Sequence, residues 1–515
     1  MKAVNVNMNV NRKLMAVIAL AVILCLLAAG CGSETYEIDE AAFMEEMLRE
    51  VKFDCELSQL KEETMSAFFT LPEGTTGLVY MGSGAYADHA AVFTAPDADA
   101  AGEVLTEVQG YTEDLKASFE DYIPEEAAKI DRAVVMQKGR YVVLCIPSAD
   151  GADDAKSFVD SYFSAAGGGD GRGEELQQPE GENGTAGEGV QQTDSEAGDG
   201  EEDSEIDRSY PYIELKDEVK DYGYVIAVGD TAYELYSYSS SVGDKYAAVV
   251  NGAADSLSGK ARVIDVMIPL SSGITLPNEL YGNISSTGQK KALKALSEKM
   301  SEKVTVVNPY DNLMRHRDEY IYFRTDHHWT ADGAYYAYEA FCKAAGMEPI
   351  GREKRESVDF EGFVGSFYKD TGENQALKEN PDTVRAYYPV SGNTSLTYTT
   401  TEGKTNDWKV IWDVKDYGSS MKYSTFIAGD NPYTVIKNED LEDGPRCVVV
   451  KESFGNAMVP FLVDHYSRIY VIDYRYWKGD LTEFVAEKGA DDLIFLNNLS
   501  MIRSDYLVGK LTAIL

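Results

Sequence analysis

The sequence predicts an α/β protein in which a three-layer αβα domain is preceded by a small α+β domain and an acidic linker. Three observations carry that expectation. Apolar, β-branched runs such as "ARVIDVMIPL", "RCVVVKES", "RIYVIDYR" and "DDLIFLNN" read as strands buried on both faces of a parallel sheet. Amphipathic segments such as "QKKALKALSEKMSEK" and "ADGAYYAYEAFCKAAG" alternate with those strands and leave room for crossover helices. Between residues 166 and 208 the chain turns to Gly and acid, with 14 acidic residues against two Arg and no aromatic residue. Such a segment buries too little apolar surface to offset its ordering entropy and is expected to be disordered.

Residues 1–30 read as a lipoprotein signal peptide. Lys2, Arg12 and Lys13 precede the apolar run "LMAVIALAVILCLLAAG", and Cys31 follows with Gly32 and Ser33 behind it. Ala28, Ala29 and Gly30 before Cys31 resemble a bacterial lipobox. That resemblance implies cleavage before Cys31 and diacylglycerol on its sulfur, giving an extracytoplasmic protein lipid-anchored to the bacterial cell membrane.

Residues 36–165 read as the small α+β domain. "DEAAFMEEMLREV" has helical spacing, "TTGLVYMGS" and "HAAVFTAP" read as strands, and "DAAGEVLTEVQGYTEDLKASFEDY" is a long amphipathic helix. "AAKIDRAVVMQKGRYVVLCIPS" reads as a hairpin around Lys138 and Gly139, followed by a closing helix. No catalytic constellation stands out, and His89 is a solitary His. The segments "EVKFDCELSQL", "SFEDYIPEEAAKIDRAVV" and "KGRYVVLCIPS" resemble a family of small bacterial lipoprotein domains of unknown function.

Residues 166–209 form the linker, which acidic repulsion should extend. Residues 210–515 hold the αβα domain, interrupted from about 350 to 440 by a β-rich insert in which Tyr and Thr alternate with polar residues.

Bulk charge excludes some partners. A net charge of −40 disfavours nucleic acid, because phosphates are met by Lys and Arg. It equally disfavours electrostatic docking on anionic lipid. Cys55, Cys145, Cys342 and Cys447 remain after the signal is removed and are open to pairing or to burial as free thiols. Their spacing matches no metal site, and no cofactor is expected.

Three strand ends carry polar residues, and ligands gather at the carboxyl edge of open parallel sheets. In "VVVKESFGNAM" Ser453 lies in a strand-to-helix turn, where it is either a nucleophile or an N-cap. In "YFRTDHHWTADG" Thr330 suits an N-cap for the next helix. An extended i, i+2 spacing points Asp326 and His328 the same way and His327 the other. A carboxylate beside an imidazole fixes its tautomer for taking a proton from Ser; caps and packing, or a metal, are the alternatives. In "LIFLNNLS" Asn498 is either an oxyanion donor or a turn residue, and Asn456 is a further candidate. Arg475 stands to contact substrate or to pair with Asp473 or Asp480.

"RTDHHW", "GFVGSFYKDTG", "VVVKESFGNAMVPFLVDHYSRIYVIDYRYW" and "DDLIFLNN" together resemble the bacterial DHHW protein family, from about residue 210 to the end. That family is similar to SGNH-like alginate O-acetyltransferases. The resemblance implies an Asp-x-His pair at Asp326 and His328, with Ser453 as nucleophile. It also implies transfer of acetyl groups to an extracellular polysaccharide, supplied by a membrane-bound O-acyltransferase. A carbohydrate acetylesterase and a non-catalytic glycan-binding or scaffold lipoprotein are the rival readings. Asp and His precede Ser here, whereas in SGNH hydrolases Ser comes first, so the domain reads as circularly permuted. "VVVKES", "IYVIDYR" and "LIFLNN" are then its first three strands and "VIDVMIPL" the fourth. Glu452 stands where the family leads one to expect Asp.

Overall fold

The computed structural model describes residues 36–515 except 56, 83–85, 121–123, 167–208, 285, 287 and 504. The signal segment, the Cys31 lipidation site and the acidic stretch 167–208 lie outside the described residues.

The N-terminal part is an antiparallel sheet with helices on both faces. Its strands are β1 (Ser58–Gln59), β2 (Thr76–Met81), β3 (His89–Thr94), β4 (Val134–Lys138) and β5 (Tyr141–Ile146), in the order β1-β2-β3-β5-β4. The two-residue side-chain period explains its two cores. Val142, Leu144 and Ile146 pack with Val104 and Val108 of helix Ala98–Glu120. Tyr141, Val143 and Cys145 pack with Phe43 and Met47 of helix Glu40–Glu50 and Val159 and Phe163 of helix Ala152–Ala166. His89 is a packing residue: its Nε2 lies 2.8 Å from the Tyr111 hydroxyl.

A three-stranded meander follows, β6 (Val219–Asp221), β7 (Val225–Val228) and β8 (Thr231–Glu234). The larger part is built on β9 (Arg262–Ile268), β10 (Val304–Val307), a ribbon of β11 (Ser357–Phe363) with β12 (Asp382–Tyr387), then β13 (Thr394–Thr399), β14 (Thr405–Trp408), β15 (Tyr433–Asn438), β16 (Arg446–Lys451), β17 (Arg468–Asp473) and β18 (Asp492–Asn498). Eight of these make one sheet, ordered β10-β9-β18-β16-β17-β15-β13-β14. The first five are mutually parallel. Counted from β16 through β18 and on to β9 and β10, the spatial order is 2-1-3-4-5, the doubly wound flavodoxin-like arrangement. The strands read from the sequence as first to fourth are thus all neighbours in this sheet, with the second, β17, lying outside the first, β16. Helices Ser240–Ser256, Gln289–Lys299 and Asp505–Thr512 pack together, and Ala331–Ala345 packs with Gly455–Leu462.

The β-rich insert divides in two. The β11–β12 ribbon stands apart, but β13, β14 and β15 continue the main sheet antiparallel to β17, with Val435 opposite Tyr470. The insert thereby covers the β17 edge, whose backbone groups would otherwise lie open to another strand. Cys55, Cys145, Cys342 and Cys447 are buried free thiols. Among the described residues no helix is long and apolar enough to cross a membrane.

Candidate active site

Because β17, β16 and β18 are neighbours, their carboxyl ends lie side by side. Ser453 follows β16, Arg475 follows β17, and Asn498 ends β18. The apolar run Cys447–Val450 is fully buried and drives β16 into the core, so the first polar residues beyond it are placed where the sheet ends. The chain then turns at once into helix Gly455–Leu462, with the Asn456 N–H donating to the Ser453 carbonyl at 3.1 Å.

The opposing loop is a bend rather than the extended segment its alternation suggested. Tyr322 and Trp329 form an isolated antiparallel bridge, and residues between them curl. Asp326 folds back on its own backbone: Oδ1 accepts from the His328 N–H at 3.0 Å and lies 2.6 Å from His328 Nδ1. Asp326 Oδ2 accepts from the Ser366 N–H at 3.0 Å. His328 Nε2 lies 2.7 Å from Ser453 Oγ. Asp326, His328 and Ser453 are 5%, 4% and 4% exposed, so the chain of hydrogen bonds lies away from bulk water. His327 does not face away, because its ring centroid is 4.0 Å from that of His328. Its Nδ1 instead meets Ser366 Oγ at 2.9 Å.

The electrostatics fit a neutral imidazole beside a charged carboxylate. Burial alone would raise the Asp326 carboxyl. The adjacent His327 and His328, with hydrogen bonds from His328 and the Ser366 N–H, outweigh it and hold the carboxyl well below its usual range. Burial and the neighbouring His327 push His328 down to about 4, against the opposing pull of Asp326 and Asp430. Such a group is a base at neutral pH, and a hydroxyl at 2.7 Å is within reach for proton transfer. Asp326, His327 and His328 also form a group whose possible ligand atoms lie within 4.8 Å of one another. The Asp326 and His328 atoms are already paired with each other and with Ser453, and a structural zinc site would want four ligands.

The other candidates are placed less simply. Asn498 Oδ1 accepts from the Ser500 N–H at 2.7 Å, which leaves Nδ2 as the group to donate. The Asn498 N–H donates to Glu452 Oε1 at 2.9 Å, and Glu452 Oε2 takes the Phe454 N–H at 3.0 Å. Glu452 thus ties the Ser453 turn to the end of β18, and burial raises its carboxyl. Asn456 Nδ2 donates to Asp430 at 2.9 Å. Arg475 is an internal ion-pair partner rather than a free cation facing substrate. Its Nε and Nη2 bind Asp473 at 2.9 and 2.7 Å, and Nη2 reaches Asp430 at 2.9 Å. Lys451 Nζ completes the square, 2.8 Å from Asp430 and 3.0 Å from Asp473. Two cations meet two carboxylates, so the buried charges balance. Asp480 instead caps helix Leu481–Lys488.

Four residues at the site were not singled out from the sequence. Trp329 is fully buried and its Nε1–H donates to the Phe454 carbonyl at 2.9 Å, pinning the histidine loop to the Ser453 turn. Tyr423 stacks on His328, Ser366 holds Asp326, and Asp430 sits close enough to raise the His328 pKa. Asp430 follows Ile427 and Ala428, two non-glycine residues at φ 46° and 69°, a strained turn of the kind that clusters at functional sites. Trp329 and Ser366 lie within segments that resemble the DHHW family, "RTDHHW" and "GFVGSFYKDTG". Nothing in the local pattern around Tyr423 or Asp430 marked them.

Comparison with known proteins gives two family matches along the chain. The DHHW protein profile matches residues 203–472, more than half of the chain, and includes Asp326, His328 and Ser453. A domain of unknown function, DUF4358, matches residues 53–147. No curated protein matches. Among solved structures, a DHHW family protein from Eubacterium siraeum is 29% identical, with a TM-score of 0.51 over 56% of this chain and 93% of that one. PatB1 of Bacillus cereus, solved with a sulfonyl adduct, is 18% identical, with a TM-score of 0.47 over 55% of this chain and 97% of that one. The O-acetyltransferase domain of Pseudomonas putida AlgJ is 12% identical, with a TM-score of 0.31 over 55% of this chain and 96% of that one. On the extent of the profile match, the chain belongs to the DHHW protein family.

Proposed function

We propose that the protein is a cell-surface acyltransferase that O-acetylates an extracellular polysaccharide through Ser453, His328 and Asp326. One observation carries the reading: a buried Ser Oγ, both nitrogens of one imidazole and a carboxylate lie in line, at 2.7 and 2.6 Å. His328 Nε2 takes the Ser453 proton as Oγ attacks the acyl carbonyl, and Asp326 stabilises the imidazolium that forms. The tetrahedral intermediate collapses to an acyl-serine and His328 returns the proton to the leaving group. A sugar hydroxyl then gives its proton to His328 and accepts the acyl group, which regenerates Ser453. Asn498 Nδ2 is the proposed oxyanion donor.

The similarity of the DHHW motifs to alginate O-acetyltransferases supports the polysaccharide acceptor and a membrane-bound O-acyltransferase as acyl supplier. The lipobox-like sequence at Cys31 supports a lipid anchor outside the cytoplasm.

Three measurements test the proposal. A fluorophosphonate should label Ser453, read by mass spectrometry, and His328→Ala should abolish labelling. Turnover of p-nitrophenyl acetate should fall to background in Ser453→Ala; equal rates would replace the enzyme with a glycan-binding or scaffold protein. Incubation with an acyl donor and an oligosaccharide should yield an acetylated sugar, whereas acetate release alone would make the protein a carbohydrate acetylesterase.

A further inference from the structure

One octapeptide touches both the catalytic carboxylate and the N-terminal domain. The segment Gly365–Gly372, "GSFYKDTG", begins against Asp326. The Ser366 N–H donates to Asp326 Oδ2, and a Cβ on Gly365 would stand 2.2 Å from Asp326 Cβ. It ends against the N-terminal domain. Gly372, at φ +59°, has no room for a Cβ, which would stand 2.3 Å from the Ala67 carbonyl oxygen and 2.5 Å from Ala67 Cβ. Between the two glycines Phe367 is 1% exposed, in a cluster with Tyr222, Val225 and Ala232 onto which Ala67 and Phe68 pack.

Other contacts fix the same seating. Lys61 of the N-terminal domain pairs with Asp221 at 2.8 Å, and Phe68 meets Tyr222 edge-on at 6.3 Å. Tyr224 packs against the N-terminal core and hydrogen-bonds Asp370, within the octapeptide. Tyr111, from the long N-terminal helix, and His327 both lie within electrostatic reach of the same carboxylate.

We infer that the seated N-terminal domain is a positioning element for the Ser453 reaction, acting through Gly365–Gly372 to hold Asp326, and with it His328, in line with Ser453. Phe367 and Gly372 are positioning residues in this scheme and touch no substrate. The physical reason is the absence of slack. The octapeptide is in contact at both ends and filled by a buried aromatic ring in the middle, and close-packed interiors transmit displacement rather than absorb it. A shift of about 1 Å at a catalytic group is enough to lower a rate about a hundredfold. The inference rests on the acyl-transfer reading of Ser453.

The test uses the full chain with two variants that open the contact from opposite sides: Ala67→Glu with Phe68→Glu, and Tyr222→Ser. Hydrogen exchange over residues 365–372 reports the seating, and fluorophosphonate labelling of Ser453 with p-nitrophenyl acetate kinetics reports the site. Both variants should speed exchange and lower kcat and the labelling rate by about tenfold or more with KM unchanged. Phe68→Leu, which keeps an apolar side chain, should behave as wild type. Faster exchange with wild-type kcat would overturn the inference. Unchanged exchange in both variants would overturn it too, since the contact would then not be what holds the segment. Wild-type protein that never labels at Ser453 would instead remove the acyl-transfer reading, while the exchange result would stand on its own.

Discussion

Tyr423 lies flat on His328, with ring centroids 4.1 Å apart and planes 20° from parallel, while its hydroxyl donates to the Ser453 carbonyl at 3.1 Å. One side chain of the β-rich insert therefore braces both the His328 ring and the backbone of Ser453. Removing the ring in Tyr423→Ala should lower the rate of Ser453 labelling about tenfold or more, because the imidazole loses the surface that orients it. Tyr423→Phe keeps the stack and loses only the hydrogen bond, so its loss should be smaller. Equal effects of the two variants would show that the hydroxyl, not the ring, is what matters.

Asp326→Asn should be far more damaging than its small volume change suggests. The amide can leave His328 with the wrong nitrogen protonated and no carboxylate to stabilise the imidazolium, a change worth roughly 10³- to 10⁴-fold in kcat. Steady-state kinetics with p-nitrophenyl acetate would show the loss in kcat with little change in KM. A kcat near wild type would mean that Asp326 does not serve His328 in this way.

Acidity should act at an unusually low pH. A base must be neutral to accept the Ser453 proton, and burial holds His328 down to about 4. The kcat/KM profile should therefore rise as pH climbs through about 4 and be level across the ordinary imidazole range near 6.5. Stability runs the same way. Below pH 6.5 the unfolded chain binds a proton on this histidine that the folded chain resists, so stability declines as pH falls towards 4. The depressed Asp326 acts in the same direction at lower pH. An inflection in kcat/KM near 6.5 or above would contradict this.

Arg475→Ala should weaken the fold more than it weakens substrate binding. The substitution leaves Asp430 and Asp473 sharing only Lys451, and stripping one partner from a buried charge network costs roughly 3–5 kcal/mol. Urea unfolding would read this as a lower midpoint. A raised KM with an unchanged midpoint would restore Arg475 as a substrate contact.

Cys55, Cys145, Cys342 and Cys447 should resist alkylation in the native protein and react together on denaturation without a reductant, since all four are buried free thiols. A mass two or four units below that of the fully reduced chain would show disulfides instead. The thiol of Cys447 sits at the heart of the parallel sheet, where burial drives its pKa well up.

Much of the fold was legible because its signals are local. Residues such as Val448, Val449 and Val450 are β-branched and apolar in succession, which favours a strand buried on both faces, and they lie in β16 at the middle of the parallel part of the sheet. The pairing of Asp326 with His328 was legible as a motif, although the stated geometry was not. The two meet because Asp326 bends back onto the backbone of His328, not because an extended strand turns both to one side.

The chain by itself determined which segments become strands and helices, and which polar residues stand where apolar runs stop, because burial periodicity and helix capping act over a few neighbouring residues. Tertiary structure alone decided who meets whom at those stops. Arg475 was as free in sequence to face substrate as to pair, and only the adjacency of β16 and β17 and the turn at Asp430 enclosed it among carboxylates. Tyr423 and Ser366 reached the site from the insert, and Ala67 reached Gly372 across the whole linker. Contacts of that kind depend on the packing of elements far apart in the chain, and no local pattern of residues encodes them.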